Sequence, residues 1–372
     1  MFYRTFLFLV FLCALLSCNS RQMPHQHSFY YWKTTFPAGD SENIDKIEKS
    51  GVEHFYIRYM DVDWNDALVM PVPCGQLQTT NCIPFTRDTY TPVVYITNRT
   101  FEHITDNWID SLALRLTQSI SSITADIERK ATVQFDSVPT TGRQAEDAFW
   151  DSLKSTAMAK RAIACTELQI DCDWTNSTKE KYFRFLRKFK SLNPGKTISA
   201  TVRMYPYKYS QKMGIPPVDR GMLMCYNLGK IKSPGTTNSI FDLDELRNYL
   251  DAEKYPLPLD IALPVFGWQV WFRGGKYKGI VHNIFVTAGT TVAYKKTGDN
   301  SYRILKDTVI GSNYYREGDE LRLEIPGEQD LQQAVSIIDR KIPDYGRLTF
   351  FDWNTTSVTK YEKTIQAIFN KH

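Results

Sequence analysis

The residues whose types and spacing could do chemistry lie in one run, Leu168-Gln169-Ile170-Asp171-Cys172-Asp173-Trp174-Thr175. The run reads as a β-strand, and strand side chains alternate between two faces. Leu168, Ile170 and Cys172 then point toward covering helices, while Gln169, Asp171, Asp173 and Thr175 point the other way. Two carboxylates two residues apart on one face are costly to desolvate and repel each other, which raises one pKa and suits proton transfer or the orientation of a polar ligand group. The plainer alternative is that each Asp pairs with an Arg or Lys in a structural network. A second run, Met224-Cys225-Tyr226-Asn227, ends another strand with a phenol and an amide. No Cys-x-x-Cys pair, His-Glu-x-x-His motif or Cys/His spacing marks a metal site, so neither metal nor cofactor is expected.

Positioning such residues requires a scaffold, and the chain supplies an alternation of strand-like and helix-like segments. Runs rich in β-branched and aromatic residues occur at 28–36, 53–61, 91–97, 165–173, 196–204, 221–226, 258–266 and 347–352. Amphipathic segments at 107–130, 177–192, 242–250, 329–340 and 357–370 fall among them. In the second of these, Ser177-Thr178-Lys179-Glu180 predicts a capping box, with Tyr182, Phe183, Phe185, Leu186 and Phe189 as its apolar stripe. Eight strands separated by helices predict a parallel α/β sheet closed as a (β/α)8 TIM barrel of about 250 residues. The surplus must be insertions. One is expected at 274–324, a β-rich excursion between the seventh strand and its helix with a hairpin around 284–294; a second, irregular one is expected at 136–145. An open doubly wound sheet is disfavoured, because no Gly-rich phosphate loop follows the first strand.

Composition narrows the function. Of 372 residues 42% are hydrophobic and 23% charged, which suits a folded protein, and 45 Lys and Arg against 41 Asp and Glu leave only +4 without a basic block. Nucleic acid is therefore not an expected partner. Aromatic residues reach 13%, and exposed aromatic faces suit the flat apolar faces of sugars. Residues 1–17 carry Arg4 and the apolar run 6–16, too short to span a bilayer at roughly 20 residues per crossing. Leu15-Leu16-Ser17-Cys18 resembles a bacterial lipobox, which implies cleavage before Cys18, its lipidation, and a tether over 18–27 that includes His25 and His27. The expected location is the bacterial cell envelope, anchored to a membrane, with the outer membrane favoured and its two faces left open. Cys74 and Cys82 share one loop and could close a small disulfide or remain thiols. Cys165, Cys172 and Cys225 read as buried small hydrophobes.

The motifs, taken in order, resemble the family 18 glycoside hydrolases: chitinases, endo-β-N-acetylglucosaminidases and their non-catalytic lectin relatives. Ile170-Asp171-Cys172-Asp173-Trp174 is similar to the centre of that family's D-G-x-D-x-D-x-E strand, and Met224-Cys225-Tyr226-Asn227 to its M-x-Y-D. Ala262-Leu263-Pro264-Val265-Phe266-Gly267 loosely matches G-x-P-x-Y-G, and Phe351-Asp352-Trp353 stands where members place a Trp after the eighth strand. The resemblance covers strands four to eight. It implies substrate-assisted hydrolysis of N-acetylhexosamine linkages, with Asp173 orienting the acetamido group, Asp171 supporting it, and Tyr226 bonding its carbonyl. The chain departs from the pattern at the proton donor, where Thr175 replaces Glu, and also at Leu168 and Asn227. General acid catalysis is worth about 10²–10⁴-fold, so three outcomes stay open. A relocated acid, with Asp61, Asp63 and Asp352 as candidates, would keep a hydrolase. A glycan-binding protein would hold sugars on Trp32, Trp268, Trp271 and Trp353, with Asn227 and Thr175 lining the site. A scaffold or protein-interaction barrel would do neither.

The lipobox generates a direct test. Cys18→Ala is expected to move the protein from the membrane fraction to the soluble fraction, and continued membrane association with no acyl chain on the protein would contradict the anchor.

Overall fold

The computed structural model describes residues 25–35, 46–47, 49–79, 89–136, 165–282, 284 and 293–371. Eight parallel strands form its centre: β1 (Gln26–Tyr31), β2 (His54–Asn65), β4 (Thr89–Ile96), β5 (Glu167–Asp171), β6 (Thr197–Arg203), β7 (Arg220–Met224), β8 (Leu259–Pro264) and β16 (Arg347–Phe351). Each pairs with its successor, and β1 pairs with both β16 and β2, so the sheet closes on itself. This is a (β/α)8 TIM barrel. Helices α1 (Asn98–His103) and α2 (Asp106–Asp136) lead from β4 to β5, and α3 (Lys179–Leu192) joins β5 to β6. The short α4 (Met204–Lys208) and α5 (Ser210–Met213) follow β6, α6 (Leu243–Leu250) follows β7, α7 (Glu328–Lys341) precedes β16, and α8 (Thr355–Phe369) follows it. Among the described residues no helix is long and apolar enough to cross a membrane.

Helix α3 buries Tyr182, Phe183, Phe185, Leu186 and Phe189, the stripe its spacing predicts. Its start differs from the expected capping box. The cap residue is Thr178, and its hydroxyl accepts from the Thr175 amide at 2.9 Å and donates to Asn98 Oδ1 at 2.6 Å instead of capping the helix. β1 begins at Gln26, two residues inside the segment read as a tether, and His27 stacks on Phe369 of α8 at 4.0 Å. Cys18 and Cys82 lie outside the described residues, as do 137–164 and most of the 284–294 hairpin.

Between β8 and α7 the chain leaves the barrel. Strands β9 (Trp268–Arg273), β10 (Lys276–Val281), β11 (Tyr294–Lys296), β12 (Ser301–Ile304) and β15 (Glu320–Glu324) pair in the order β10-β9-β15-β12-β11, with β13 (Thr308–Ile310) and β14 (Asn313–Tyr315) as a separate hairpin. The inserted sheet starts at Trp268, six residues before the expected boundary. It carries a small core of Val281, Tyr302, Ile304, Tyr315 and Leu321.

The barrel interior is polar at its N-terminal end. Arg347 of β16 donates to Glu167 of β5, to the Tyr56 hydroxyl at 2.9 Å and to Gln26 at 2.7 Å. Asp260 of β8, 1% exposed, accepts from Arg220 at 2.6 Å and from the Arg347 amide at 2.8 Å. Gly346 is required here, because a β-carbon on it would collide with Arg220 and Asp260. From Glu167 the contacts climb the barrel: Ser199 donates to Glu167 at 2.6 Å, Gln169 donates to Ser199 at 3.2 Å, and the Tyr30 hydroxyl donates to Gln169 at 2.5 Å. Two carboxylates and two guanidiniums cancel, which is how a buried network of this size avoids uncompensated charge.

Asp260→Ala removes the carboxylate that pairs with Arg220 and accepts from the Tyr56 hydroxyl and the Arg347 amide, and it leaves the buried network with an excess positive charge. It is expected to cost about 3–5 kcal/mol of stability, read as a lower urea midpoint with unchanged slope; a change within 1 kcal/mol, roughly the size of a surface effect, would contradict the network's role.

Candidate functional site

A bulge places the first acidic side chain. The β2–β4 register slips between Arg58 and Met60. In a regular strand residues three apart face opposite sides, and one extra residue brings them to the same side. Tyr59 therefore packs outward against Tyr90 and Thr124, while Arg58 forms a two-pronged pair with Asp61. Register then aligns Asp61 of β2 with Tyr95 of β4, and Tyr95 with Asp171 of β5. These three form one wall of the barrel mouth.

Asp171 accepts from the Thr201 hydroxyl at 2.6 Å, and its carboxyl is pushed up to about 7, first by burial and then by the charge of Asp173. Asp173 lies 3.1 Å from Arg203 Nε at the end of β6, with both side chains nearly half exposed. Arg203 is also fixed by a 2.6 Å bond to the Trp174 carbonyl. The pairing of Asp173 with an arginine is the plainer alternative foreseen from sequence, but an ion pair this exposed is worth only about 0–1 kcal/mol, so a ligand can compete for either partner. Tyr226, just beyond β7, is buried and its hydroxyl is held protonated, by burial first and then by the carboxylates of Asp171, Asp173 and Asp352. Asp352 follows β16, and burial pushes its carboxyl up to about 6 despite the nearby Lys33.

The opposite wall is aromatic. Phe351 at the end of β16 lies 5.4 Å from the rings of Tyr30, Trp32 and Tyr226 and 5.7 Å from Phe266. Trp268 adjoins Phe266 at 5.3 Å and donates its indole N–H to Glu324 at 2.8 Å. Gly267 lets the chain turn there, since a β-carbon would fall 2.8 Å from Ile325 and 2.9 Å from the Glu324 carbonyl. Carboxylates on one side and ring faces on the other meet at Tyr226, a shape able to hold a sugar by its polar substituents and its apolar face together.

Of the other sequence-predicted site residues, Trp353 and Trp271 lie away from the mouth, and the rest have local partners of their own. Trp353 is 1% exposed and packs outside the barrel on Phe29 and Phe55, because Phe351 takes the inward position and Trp353 turns toward the helices. Trp271 belongs to the inserted sheet, donating to Asp319 at 2.9 Å beside Tyr315. Asp63 accepts from Thr97 at 2.6 Å and from the Trp64 amide. Asn227 is exposed, with φ of 56°, and its amide bonds the Ile240 carbonyl. Thr175 turns its hydroxyl to Ser177 and Thr178, at 2.9 and 3.1 Å, within the turn before α3. Cys74 is exposed at the end of β3 (Met70–Cys74), the strand antiparallel to β2. Among the described residues no cluster of His, Cys, Asp and Glu could hold a metal. Arg203, Tyr95 and Phe351 were missed from sequence. The first ends a strand without a motif, the second needs the β2 register, and the third is masked by its more conspicuous Trp neighbour.

No protein-family profile and no curated protein matches the chain. Similar solved structures include the spore cortex-lytic enzyme SleL of Bacillus cereus, 15% identical with a TM-score of 0.47, covering 92% of this chain and 74% of that one. The chitinase ICChI from Ipomoea carnea is 10% identical with a TM-score of 0.42, covering 92% and 99%. The xylanase and alpha-amylase inhibitor protein XAIP-II from Scadoxus multiflorus is 8% identical with a TM-score of 0.43, covering 93% and 99%. At these values the likenesses carry no argument, and the barrel stands on its own strand order.

The raised carboxyls predict a pH signature. Folded Asp171 keeps its proton up to about pH 7, whereas unfolded it loses it near its ordinary value of 3.8. Unfolding between those values releases a proton, so stability falls as pH rises from about 4 through 7. Relative to Asp171→Asn, the wild type is expected to lose roughly 4 kcal/mol across that window, measured by urea unfolding at several pH values; parallel curves for the two proteins would contradict the buried, protonated state.

Proposed function

We propose that the barrel mouth recognises N-acetylhexosamine-containing glycans, in a chain tethered to the bacterial envelope through Cys18. The observation that carries this reading is the meeting of the Asp171–Asp173 wall and the Phe351–Phe266–Trp32 wall at one buried, protonated phenol, Tyr226. An acetamido group offers one carbonyl acceptor and one N–H donor. Tyr226 donates to the carbonyl, Asp173 accepts from the N–H, and a pyranose face lies against Phe351 or Trp32. The resemblance to family 18 motifs assigns the same residues to the same group.

Binding without efficient cleavage is the form of this reading that the site supports best. The standard route needs a proton donor beside the leaving oxygen. Thr175 supplies none, because a hydroxyl is too weak an acid near neutral pH and this one is engaged with Ser177 and Thr178. Asp61 has both oxygens occupied by Arg58. A second reading, a hydrolase with a relocated acid, is favoured by one observation: Asp352 carries its carboxyl at about 6, close to the working range of a general acid, and acts electrostatically on Tyr226.

The two readings separate by experiment. Calorimetric titration with di-N-acetylchitobiose is expected to show binding that Asp173→Ala weakens by roughly 10–100-fold, as for loss of a charged hydrogen bond, while Thr175→Ala leaves it unchanged. Wild-type turnover of chitooligosaccharides is expected to be negligible. Robust turnover abolished by Asp352→Asn would replace the binder with the hydrolase, and absence of any glycan binding by the folded protein would leave the scaffold barrel.

A further inference from the structure

Tyr205 and Tyr209 present ring area to solvent, 42% and 44% exposed, on the short helices that leave the top of β6. Their centroids are 4.7 Å apart. The segment is built to hold them still. Met204, Pro206 and Tyr207 are buried beneath, Tyr207 stacks on Tyr255 at 5.5 Å, and Lys208 bonds both the carbonyl and the side chain of Asn248 at 2.7 Å, tying the turn to α6. Half-buried Tyr249 of α6 lies close enough to both phenols to feel their charge.

The place matters as much as the rings. Arg203, which pairs with Asp173, directly precedes α4, so the tyrosines begin two residues from the acidic wall and on the face of the barrel where the strands end. A held pair of amphipathic rings there leaves over two fifths of each side chain in solvent and offers apolar faces ringed by hydroxyls and the ammonium groups of Lys208 and Lys212. Sugar rings match this surface: apolar on their faces and hydroxylated at their edges.

We propose that Tyr205 and Tyr209, flanked by Tyr249, form a second binding platform on which the more distant sugars of a glycan chain stack when its N-acetylhexosamine occupies the mouth. This rests on the reading of the mouth as a glycan site and makes that site selective for chains over disaccharides.

The test compares di-N-acetylchitobiose with hexa-N-acetylchitohexaose by calorimetry, on wild type, on the double variant Tyr205→Ala/Tyr209→Ala, and on Tyr205→Phe/Tyr209→Phe. The wild type is expected to bind the hexamer more tightly. The Ala pair is expected to weaken hexamer binding about tenfold or more and leave the disaccharide unchanged, while the Phe pair, which keeps the faces, retains most hexamer affinity. Both changes are at exposed positions, and an unchanged thermal melt confirms folding. Equal hexamer affinity in wild type and Ala variant overturns the platform and leaves the mouth reading standing. Hexamer binding lost with the tyrosines but indifferent to Asp173→Ala, measured alongside, would show a tyrosine site that works without the mouth, and overturns both the mouth and the coupling of the platform to it. A wild type that binds neither sugar overturns both.

Discussion

The charge-balanced contact of Arg347 with Glu167 and Asp260 inside the barrel is the constraint on which the remaining structure depends. A closed barrel of eight strands must fill its interior, and this one fills its lower half with two guanidiniums, two carboxylates and a phenol in place of branched aliphatic layers. Such groups are tolerated only where every one is partnered. The partners come from β2, β5, β7, β8 and β16, so the network fixes how those strands are staggered. Ser199, Gln169 and Tyr30 carry the same bonding upward and set the depth at which the mouth begins.

Above that layer the interior changes character. Asp171 accepts from the Thr201 hydroxyl, but that bond and the more distant charge of Arg203 are outweighed by burial and the charge of Asp173, so it stays protonated well toward neutral pH. Asp173, one pleat higher, reaches solvent and meets Arg203. The contrast between a compensated lower network and an incompletely compensated upper one is what distinguishes a stabilising interior from a site. The aromatic wall deepens the contrast, since Phe351 and Phe266 lower the polarity around the phenol of Tyr226.

Much of the barrel was legible because its eight strands are β-branched and aromatic runs, and because the helix stripe of α3 has strict spacing. The inward phase of Asp171 was legible for the same reason, as period-two alternation admits only two choices. What was not legible depends on events that alternation does not record. The bulge at Arg58–Met60 reverses the face of everything after it, placing Asp61 beside Arg58. At the end of β16 the conspicuous Trp353 turns outward and the less conspicuous Phe351 turns in, a choice made by packing against Phe29 and Phe55. Trp271 looked like a sugar-stacking face but serves the core of an inserted sheet whose pairing order, β10-β9-β15-β12-β11, is not sequential. The arginine that meets Asp173 comes from a strand with no motif, and pairing across strands is a long-range fact.

The central claim is that one sugar's acetamido group sits between Tyr226 and Asp173 with its ring against the aromatic wall. The crystal structure of the full chain grown with di-N-acetylchitobiose tests it most directly. The account predicts an acetamido oxygen within about 3 Å of the Tyr226 hydroxyl and a pyranose face on Phe351 or Trp32. A sugar bound away from the barrel mouth, or a mouth occupied with the acetamido group turned to solvent, would contradict it.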